Sequence, residues 1–262
     1  MAEALLVDRR GPIWTLTFNR PAQRNSLPPL EWLHLRDLLA QIAREPDARV
    51  VVLRGAGGRA FSSGYDIGAL EQLQQQKIVL STPEDPFEQA LAAVVEHPLP
   101  IIAMVSGFAV GGGCTLAAGC DVRLAGASAR FGMPPAKLGV VYSASELKTF
   151  LELLGPGRTK LLFYSGRIID AQRALELGLI EEVVPDEQLE EYTYALAEEI
   201  ATNAPLAVQG TKRILRHMLA QAVPPEAVED IAATIRATNT SADLREGVRA
   251  FLEKRRPEFR GR

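Results

Sequence analysis

A glycine-rich stretch in the middle of the chain could bind a negatively charged oxygen through its backbone. Residues 106–121 read SGFAVGGGCTLAAGCD, so three glycines follow a short apolar run and open a predicted helix. Glycines leave N–H groups uncovered at a strand-to-helix junction, where the helix dipole favours negative charge. A second stretch, GAGGRAFSSGYD at 55–66, follows another predicted strand. Two such loops after neighbouring strands can aim one N–H each at the same point, which is the arrangement of an oxyanion hole.

The same glycines also invite a nucleotide or phosphate interpretation. Gly55, Gly57 and Ala60 fit the dinucleotide pattern G-x-G-x-x-G/A, but residues 61–64 continue as a loop and no acidic residue follows at the required distance. A flexible surface loop is the other alternative for this stretch. GPGRTK at 155–160 resembles a phosphate loop, but it lacks the Walker spacing and is more typical of a turn between helices.

Strands and helices alternate along most of the chain, which predicts an α/β fold. Apolar alternation and buried β-branched runs predict strands at 4–8, 13–18, 50–53, 101–105, 121–124 and 181–184. Helical spacing predicts helices at 30–43, 67–76, 85–95, 112–118, 145–154, 158–164 and 171–177, the last with Gly178 as its C-cap. Asp186 is a predicted N-cap, followed by helices at 187–202, 206–221, 225–238 and 242–254. The pattern divides the chain into a core, residues 1–200, and a helical C-terminal subdomain, residues 201–262.

Composition excludes several functional classes. The chain of 262 residues has a formal net charge of −3, so nothing indicates binding to nucleic acid or to an anionic membrane. Cys114 and Cys120 lie in one apolar segment without a disulfide framework, which is typical of reduced core residues in a cytosolic protein. The N-terminus has no apolar signal region, so we expect a cytoplasmic location. Residues 98–119 carry no charge, but their glycines and prolines favour a strand entering a buried helix over a membrane span.

The two loops and the segments after them resemble the crotonase (enoyl-CoA hydratase/isomerase) superfamily over essentially the whole chain. The resemblance is carried by FSSGYDIGAL, SGFAVGGGCTLAAGCDVRLA, ARFGMPPAKLG and the ending FLEKRRPEF. It implies a crotonase-type β-β-α spiral core with a helical C-terminal oligomerisation subdomain that packs homotrimers or homohexamers. It also implies an acyl-CoA thioester as the substrate, with no separate cofactor and no metal.

The resemblance assigns the thioester site to particular backbone groups. The carbonyl oxygen would bind between the N–H groups of Tyr65 and Gly112, with Ser63, Gly64 and Gly111 beside it. On this interpretation a Cβ at Gly111 or Gly112 would occupy space that the ligand needs.

Two departures from the family pattern bear on the reaction. Hydratases of this superfamily have a glutamate directly after G-G-G-C and a second one in F-G-x-P-E, whereas this chain has Thr115 and Pro135. Neither residue exchanges a proton near neutral pH, so hydration is not expected. An acyl-CoA that carries its own carboxylate would be repelled by two buried glutamates, so their loss favours such a substrate. Its decarboxylation needs an enolate held in the oxyanion hole and no general base.

Within the superfamily the chain resembles bacterial methylmalonyl-CoA decarboxylases. The similarity is carried by Leu138-Gly139-Val140-Val141-Tyr142 and by the ending EGVRAFLEKRRPEF. It implies that the Tyr142 hydroxyl orients the substrate carboxylate. Those enzymes have histidine in S-G-H-D where this chain has Tyr65, so a substitute role for the Tyr65 hydroxyl stays open.

Other residues have weaker assignments. Arg24 and Lys254 resemble positions that contact the phosphates of CoA, with isolated exposed cations as the alternative. Glu146 is expected to be an exposed glutamate in the first turn of its helix, and the alternative is a substitute acid in the pocket. Isomerisation or thioester hydrolysis with that acid is the rival reaction. A non-catalytic acyl-CoA-binding subunit is the rival of a different class.

Overall fold

The computed structural model describes residues 3–66, 68, 82–219, 229, 232–233, 236–237, 240–255 and 257–258. The strands are β1 Leu5–Arg10, β2 Ile13–Phe18, β3 Val50–Gly55, β4 Ala60–Ser62, β5 Ile101–Val105, β6 Phe108–Val110, β7 Val122–Gly126, β8 Arg130–Gly132, β9 Ile168–Asp170 and β10 Glu182–Val184. The helices are α1 Pro29–Ile42, α2 Pro86–Val95, α3 Gly112–Gly119, α4 Pro135–Leu138, α5 Ala144–Ser165, α6 Ala171–Leu177, α7 Leu189–Thr202, α8 Pro205–Leu219 and α9 Ala242–Leu252.

A six-stranded sheet in the order β1-β2-β3-β5-β7-β10 forms the centre of the fold. Only β1 and β2 pair antiparallel, and the other neighbours are parallel. Val51 and Leu53 of β3 belong to one buried cluster and Val50 and Val52 to another, so both faces of the sheet are covered. A strand buried on both faces must be a continuous apolar run, which is why its position was predictable.

A second sheet of four short strands, in the order β4-β6-β8-β9, lies beside the first. Its strands β4, β6 and β8 each follow closely after a strand of the larger sheet, namely β3, β5 and β7. This repeat of long strand, short strand and helix builds the β-β-α spiral, which confirms the predicted fold class. The prediction of a continuous loop at 61–64 is wrong at its start, because Phe61 and Ser62 belong to β4. Strands of three residues are too short to show an alternating pattern.

The helices predicted at 145–154 and 158–164 are confirmed as the two halves of α5, which meet at Gly155, where φ 68° and ψ 170° are not helical. Asp186 is not an N-cap, since Pro185 precedes a 3-10 turn at Asp186–Gln188 and the Asp186 carboxylate accepts the N–H of Ser128 at 3.1 Å. The predicted helices at 67–76 and 225–238 fall largely outside the described residues.

The last helix returns to the core beside the segment that leads to Tyr142. A Cβ on Gly247 of α9 would stand 2.2 Å from the carbonyl oxygen of Leu138 in α4, so the two helices are in direct backbone contact. The division of the chain near residue 200 stays a prediction. Within the described residues, no helix is both long and apolar enough to cross a membrane.

Candidate active site

The first loop, residues 63–66 of the stretch GAGGRAFSSGYD, begins where β4 ends. Hydrogen bonds connect it with residues 24–27, the segment before α1. Ser63 donates its N–H to the carbonyl of Arg24 at 3.1 Å, and Leu27 donates to the carbonyl of Gly64 at 2.9 Å. Leu27 and Tyr65 form an isolated parallel bridge. Within the described part of the chain the Tyr65 N–H has no hydrogen-bond acceptor, which leaves it available to a ligand.

The second loop, residues 111–113 of the stretch SGFAVGGGCTLAAGCD, follows β6. Strand β6 is the neighbour of β4 in the sheet of short strands. Gly111 is the N-cap of α3, with φ 57°, and its own N–H donates to the carbonyl of Gly132 at 2.9 Å. Gly112 begins the helix, so its N–H is one of the first-turn donors that have no partner inside the helix. The helix dipole adds positive potential at this point.

The two loops touch through their glycines. A Cβ on Gly64 would stand 2.7 Å from the nitrogen of Gly112, and a Cβ on Gly113 would stand 2.0 Å from the carbonyl oxygen of Ser62. A Cβ on Gly112 would lie 3.1 Å from the Phe87 ring. Contacts within the chain therefore require glycine at positions 64 and 113, and the expectation that a Cβ at Gly111 or Gly112 would occupy ligand space stays a prediction. This packing places the N–H groups of Tyr65 and Gly112 on touching segments, as an oxyanion hole requires.

Tyr142 lies at the second loop, as its predicted role requires. A Cβ on Gly111 would stand 3.3 Å from the Tyr142 hydroxyl. The ring packs edge-on against Phe163, with centroids 5.9 Å apart. No hydrogen bond joins the hydroxyl to any other residue that the structure describes. Burial raises the pKa of Tyr142 well above its ordinary value, so the group is a neutral O–H donor.

The positions where hydratases carry glutamates have no acid in this site. Thr115 is fully buried and its hydroxyl points at the carbonyl of Gly111 at 3.3 Å. Pro135 is buried as the first residue of α4. Thr115 thus presents an uncharged group at the second loop, and Pro135 is an uncharged residue at the start of α4, the helix that precedes Tyr142.

The Tyr65 side chain has a partner of its own. Its hydroxyl donates to the Asp85 carboxylate and accepts the N–H of Phe87 at 3.0 Å. The ring packs against Trp32, with centroids 6.1 Å apart. Burial, followed by the Asp85 charge, raises the pKa of Tyr65 far above its ordinary value. The Tyr65 hydroxyl thus connects the first loop with the start of α2. Of these two tyrosines, Tyr142 is the one whose hydroxyl has no hydrogen bond to another described residue.

Glu146 is buried, with a relative exposure of 4%, so the expectation of an exposed glutamate is wrong. It forms a capping box with Ser143, in which the Ser143 hydroxyl accepts the Glu146 N–H at 3.1 Å and the carboxylate accepts the Ser143 N–H at 3.0 Å. Burial and the neighbouring Glu88 raise the pKa of Glu146 well above its usual range. The capping-box pattern S-x-x-E at 143–146 is the sequence feature from which this cap could have been predicted.

Glu88 is a site residue that sequence reasoning missed. Its carboxyl group accepts hydrogen bonds from the hydroxyls of Ser143, at 2.5 Å, and of Ser145. The Ser143 hydroxyl thus contacts Glu88, while the Ser143 N–H donates to Glu146. Glu88 lies in the first turn of α2, far away in the sequence, so no local pattern connects it with Tyr142.

The two cations predicted to contact CoA are exposed. Arg24 has φ 53° and supports the first loop through its carbonyl group. Lys254 has φ 54° and follows α9. Their roles at the CoA phosphates stay predictions. Within the described residues, no three His, Cys, Asp or Glu side chains converge as metal ligands would.

Comparison with known proteins agrees with this backbone geometry. The sequence profile of the enoyl-CoA hydratase/isomerase family matches residues 8–262. The chain belongs to this family. It is therefore a crotonase-superfamily, acyl-CoA enzyme by descent.

The relatives differ in the reactions that their names state. The 2,3-dehydroadipyl-CoA hydratase of Escherichia coli (strain K12) is 34% identical over 260 residues, covering 98% of this chain and 99% of the relative. The methylmalonyl-CoA decarboxylase of the same strain is 33% identical over 248 residues, covering 94% of each. A solved structure of methylmalonyl-CoA decarboxylase in complex with 2-nitronate-propionyl-CoA superimposes with a TM-score of 0.89 at 31% identity and covers all of both chains. Family membership alone therefore leaves the reaction open.

Proposed function

We propose that the chain is an acyl-CoA decarboxylase acting on a methylmalonyl-CoA-like thioester. One observation carries the proposal: the Tyr142 hydroxyl lies beside Gly111 of the second loop with no hydrogen bond to another described residue. The positions of the hydratase glutamates hold Thr115 and Pro135, which are buried and uncharged. The site therefore pairs an oxyanion hole with a neutral donor for a carboxylate. The fold similarity to methylmalonyl-CoA decarboxylase supports the same choice.

The mechanism follows from these groups. The thioester oxygen accepts hydrogen bonds from the N–H groups of Tyr65 and Gly112, which stabilise the negative charge that develops as the C–C bond breaks. Tyr142 donates a hydrogen bond to the substrate carboxylate and holds it out of the thioester plane, so that the breaking bond overlaps the carbonyl π system. The electron pair moves into the enolate and carbon dioxide leaves.

The buried carboxyl groups need not repel this substrate. Glu146 has a raised pKa, which favours its neutral form, and the Glu88 carboxyl group accepts hydrogen bonds from the hydroxyls of Ser143 and Ser145. The negative charge facing the substrate carboxylate is therefore smaller than two ionised glutamates would place there.

Product analysis tests the proposal directly. The purified protein is incubated separately with methylmalonyl-CoA, malonyl-CoA and crotonyl-CoA, and the CoA products are identified by mass. The proposal expects loss of carbon dioxide from the first substrates and only trace water addition to crotonyl-CoA. Hydration of crotonyl-CoA at ordinary enzymatic rates would overturn it.

The buried Glu146 supports a second candidate, a reaction of an enoyl-CoA or thioester that uses this residue as the acid. Hydratases are among the relatives of the chain, which supports this alternative. Binding of CoA thioesters without turnover of any of the three substrates would indicate a binding subunit.

A homotrimer or homohexamer belongs to the same proposal. Exposed apolar side chains on α8, including Leu206, Ile214 and Met218, support an interface on this helix. Light scattering of the purified chain measures the subunit number, and a monomer at micromolar concentration would contradict it.

A further inference from the structure

Two backbone donors stabilise an oxyanion only when the distance between them is fixed before the reaction. In this chain the loops of Tyr65 and Gly112 meet at glycines, the residues with the greatest backbone freedom. The spacing of the donors therefore needs support from another element. We infer that Phe87 is a positioning residue that holds the two N–H groups at the spacing required to polarise a thioester carbonyl. This inference rests on the proposed function for the thioester that these donors bind.

The Phe87 ring lies against the second loop at Gly112. A Cβ on Gly112 would stand 3.1 Å from the Cε2 atom of Phe87 and 3.4 Å from its Cζ atom. The Cα atom of Gly64 lies 3.2 Å from the same point. The ring and the first loop therefore meet at one face of Gly112, so a displacement of the ring would remove a support from this donor.

Phe87 also contacts the first loop, through its backbone and through its ring. Its N–H donates to the Tyr65 hydroxyl at 3.0 Å and to the Asp85 carboxylate at 2.9 Å. Its ring packs against the Tyr65 ring, with centroids 5.8 Å apart and planes inclined at 52°. One residue of α2 thus contacts both Tyr65 and Gly112, which carry the two donors of the proposed oxyanion hole.

Trp32 of α1 holds the Phe87 ring in place. The two rings pack edge-on with centroids 5.0 Å apart, and both side chains are buried. Trp32 donates its Nε1–H to the carbonyl of Leu27 at 3.1 Å, and the Leu27 N–H donates to the carbonyl of Gly64 at 2.9 Å. A ring enclosed in this way moves little, because protein interiors are close-packed. Phe87 is therefore a rigid support between α1, α2 and the two loops.

Loss of this support should affect turnover more than substrate binding. Negative charge on the carbonyl oxygen grows as the enolate forms, so a displaced donor weakens the transition state more than the bound thioester. A misplacement of about 1 Å can cost about 100-fold in rate. Phe87→Leu should therefore lower kcat for methylmalonyl-CoA by about 10- to 100-fold and change KM little. A residue that only stabilises the fold would leave kcat of the folded enzyme unchanged.

The carbonyl band of bound propionyl-CoA measures the effect of the donors without any decarboxylation. With an isotope label in the thioester carbonyl, infrared difference spectra of the wild type should show this band at lower wavenumber than in the free ligand, because the N–H groups polarise the C=O bond. Phe87→Leu should lose much of this displacement. Phe87→Met, whose flexible side chain fills irregular space, is the second variant if the first does not fold.

Leu91→Ala on the same helix is the matched control. Leu91 is buried, and a Cβ on Gly119 would stand 2.8 Å from its Cδ1 atom, so it contacts the other end of α3. This variant should lose stability and keep the full displacement of the band. Affinity of Phe87→Leu for S-propyl-CoA, a thioether without a carbonyl, should equal that of the wild type.

The outcomes separate this inference from the proposed reaction. The full displacement in the Phe87 variants, an equal loss in Leu91→Ala, or no displacement in the wild type would each overturn the inference. Weaker binding of S-propyl-CoA by Phe87→Leu would overturn it as well, because the ring would then contact the acyl chain itself. A displacement that depends on Phe87, without release of carbon dioxide from methylmalonyl-CoA, would support the inference and defeat the proposed decarboxylation.

Discussion

The hydroxyl of Tyr142 lies 3.3 Å from the point where a side chain on Gly111 would begin. A phenol donor thus lies beside the second loop, next to the N–H of Gly112. On the proposed function, this relationship brings the group that binds the substrate carboxylate close to one that binds the thioester carbonyl.

Tyr142→Phe should reduce decarboxylation by on the order of 10- to 100-fold, because a hydrogen bond to a charged group is worth about 1.5–3 kcal/mol. Folding stability should change little, since the ring contact with Phe163 stays. Affinity for propionyl-CoA, measured by calorimetry, should also hold because that ligand has no carboxylate. Wild-type turnover in this variant would remove Tyr142 from the mechanism.

Gly113→Ala should abolish thioester binding and lower the free energy of unfolding, because the new Cβ would stand 2.0 Å from the carbonyl oxygen of Ser62. Gly210→Ala in α8 is the control, since nothing lies within 4 Å of its Cβ. That helical substitution should stabilise by about 0.5–1 kcal/mol. Denaturant unfolding and binding titrations compare the two, and normal binding by Gly113→Ala would show that the loops can separate.

Tyr65→Phe should lower stability by about 1.5–3 kcal/mol while turnover stays within a few-fold, because its hydroxyl serves Asp85. Asp85 keeps the N–H of Phe87 as a donor at 2.9 Å, so the start of α2 should hold its position. Exposed Tyr164→Phe controls for loss of a phenol. A large loss of turnover at unchanged stability would assign the Tyr65 hydroxyl to the substrate.

Replacing both Thr115 and Pro135 by glutamate should suppress decarboxylation, because added carboxylates repel the substrate carboxylate. Stability should fall as well, since Thr115 is fully buried. Thr115→Val keeps the volume and the neutral wall and should retain turnover. Faster decarboxylation by the double variant would contradict the charge argument.

His97 should make stability depend on pH. It is buried between the carbonyl of Leu39 and the N–H of Leu99, and burial lowers its pKa in the folded state. The unfolded chain therefore binds the proton more readily, and this contribution to stability is complete above the unfolded pKa of about 6.5 and is lost as the pH falls. Denaturant unfolding from pH 8 to pH 5 measures the slope, which should flatten in His97→Gln but persist in the exposed His34→Gln.

The elements that could be predicted from the sequence are those that depend on residues close together in the chain. The doubly buried strand β3, the helix that opens at Gly112 and the Gly178 cap were readable because composition and spacing determine them. The short strands of the second sheet were not, since three residues show no period and their pairing joins distant segments.

The same division holds in the site. The resemblance of the two glycine-rich loops to the family predicts backbone donors at Tyr65 and Gly112, whereas the burial of Glu146 depends on contacts between the starts of α2 and α5. Glu88 completes that arrangement from 55 residues before Ser143, a separation that no local pattern spans. Hydrogen bonds between remote segments therefore determine which acids the pocket contains.

On the proposed function, main-chain groups bind the thioester, which separates the evolution of binding from that of reactivity. Any residue other than proline offers an N–H at position 65, so replacing that side chain keeps the backbone hydrogen bond to the thioester. The side chains at 115, 135, 142 and 146 can then drift or be redesigned as an independent set. One fold can in this way acquire new reactions by a few substitutions while its backbone groups continue to bind coenzyme A esters.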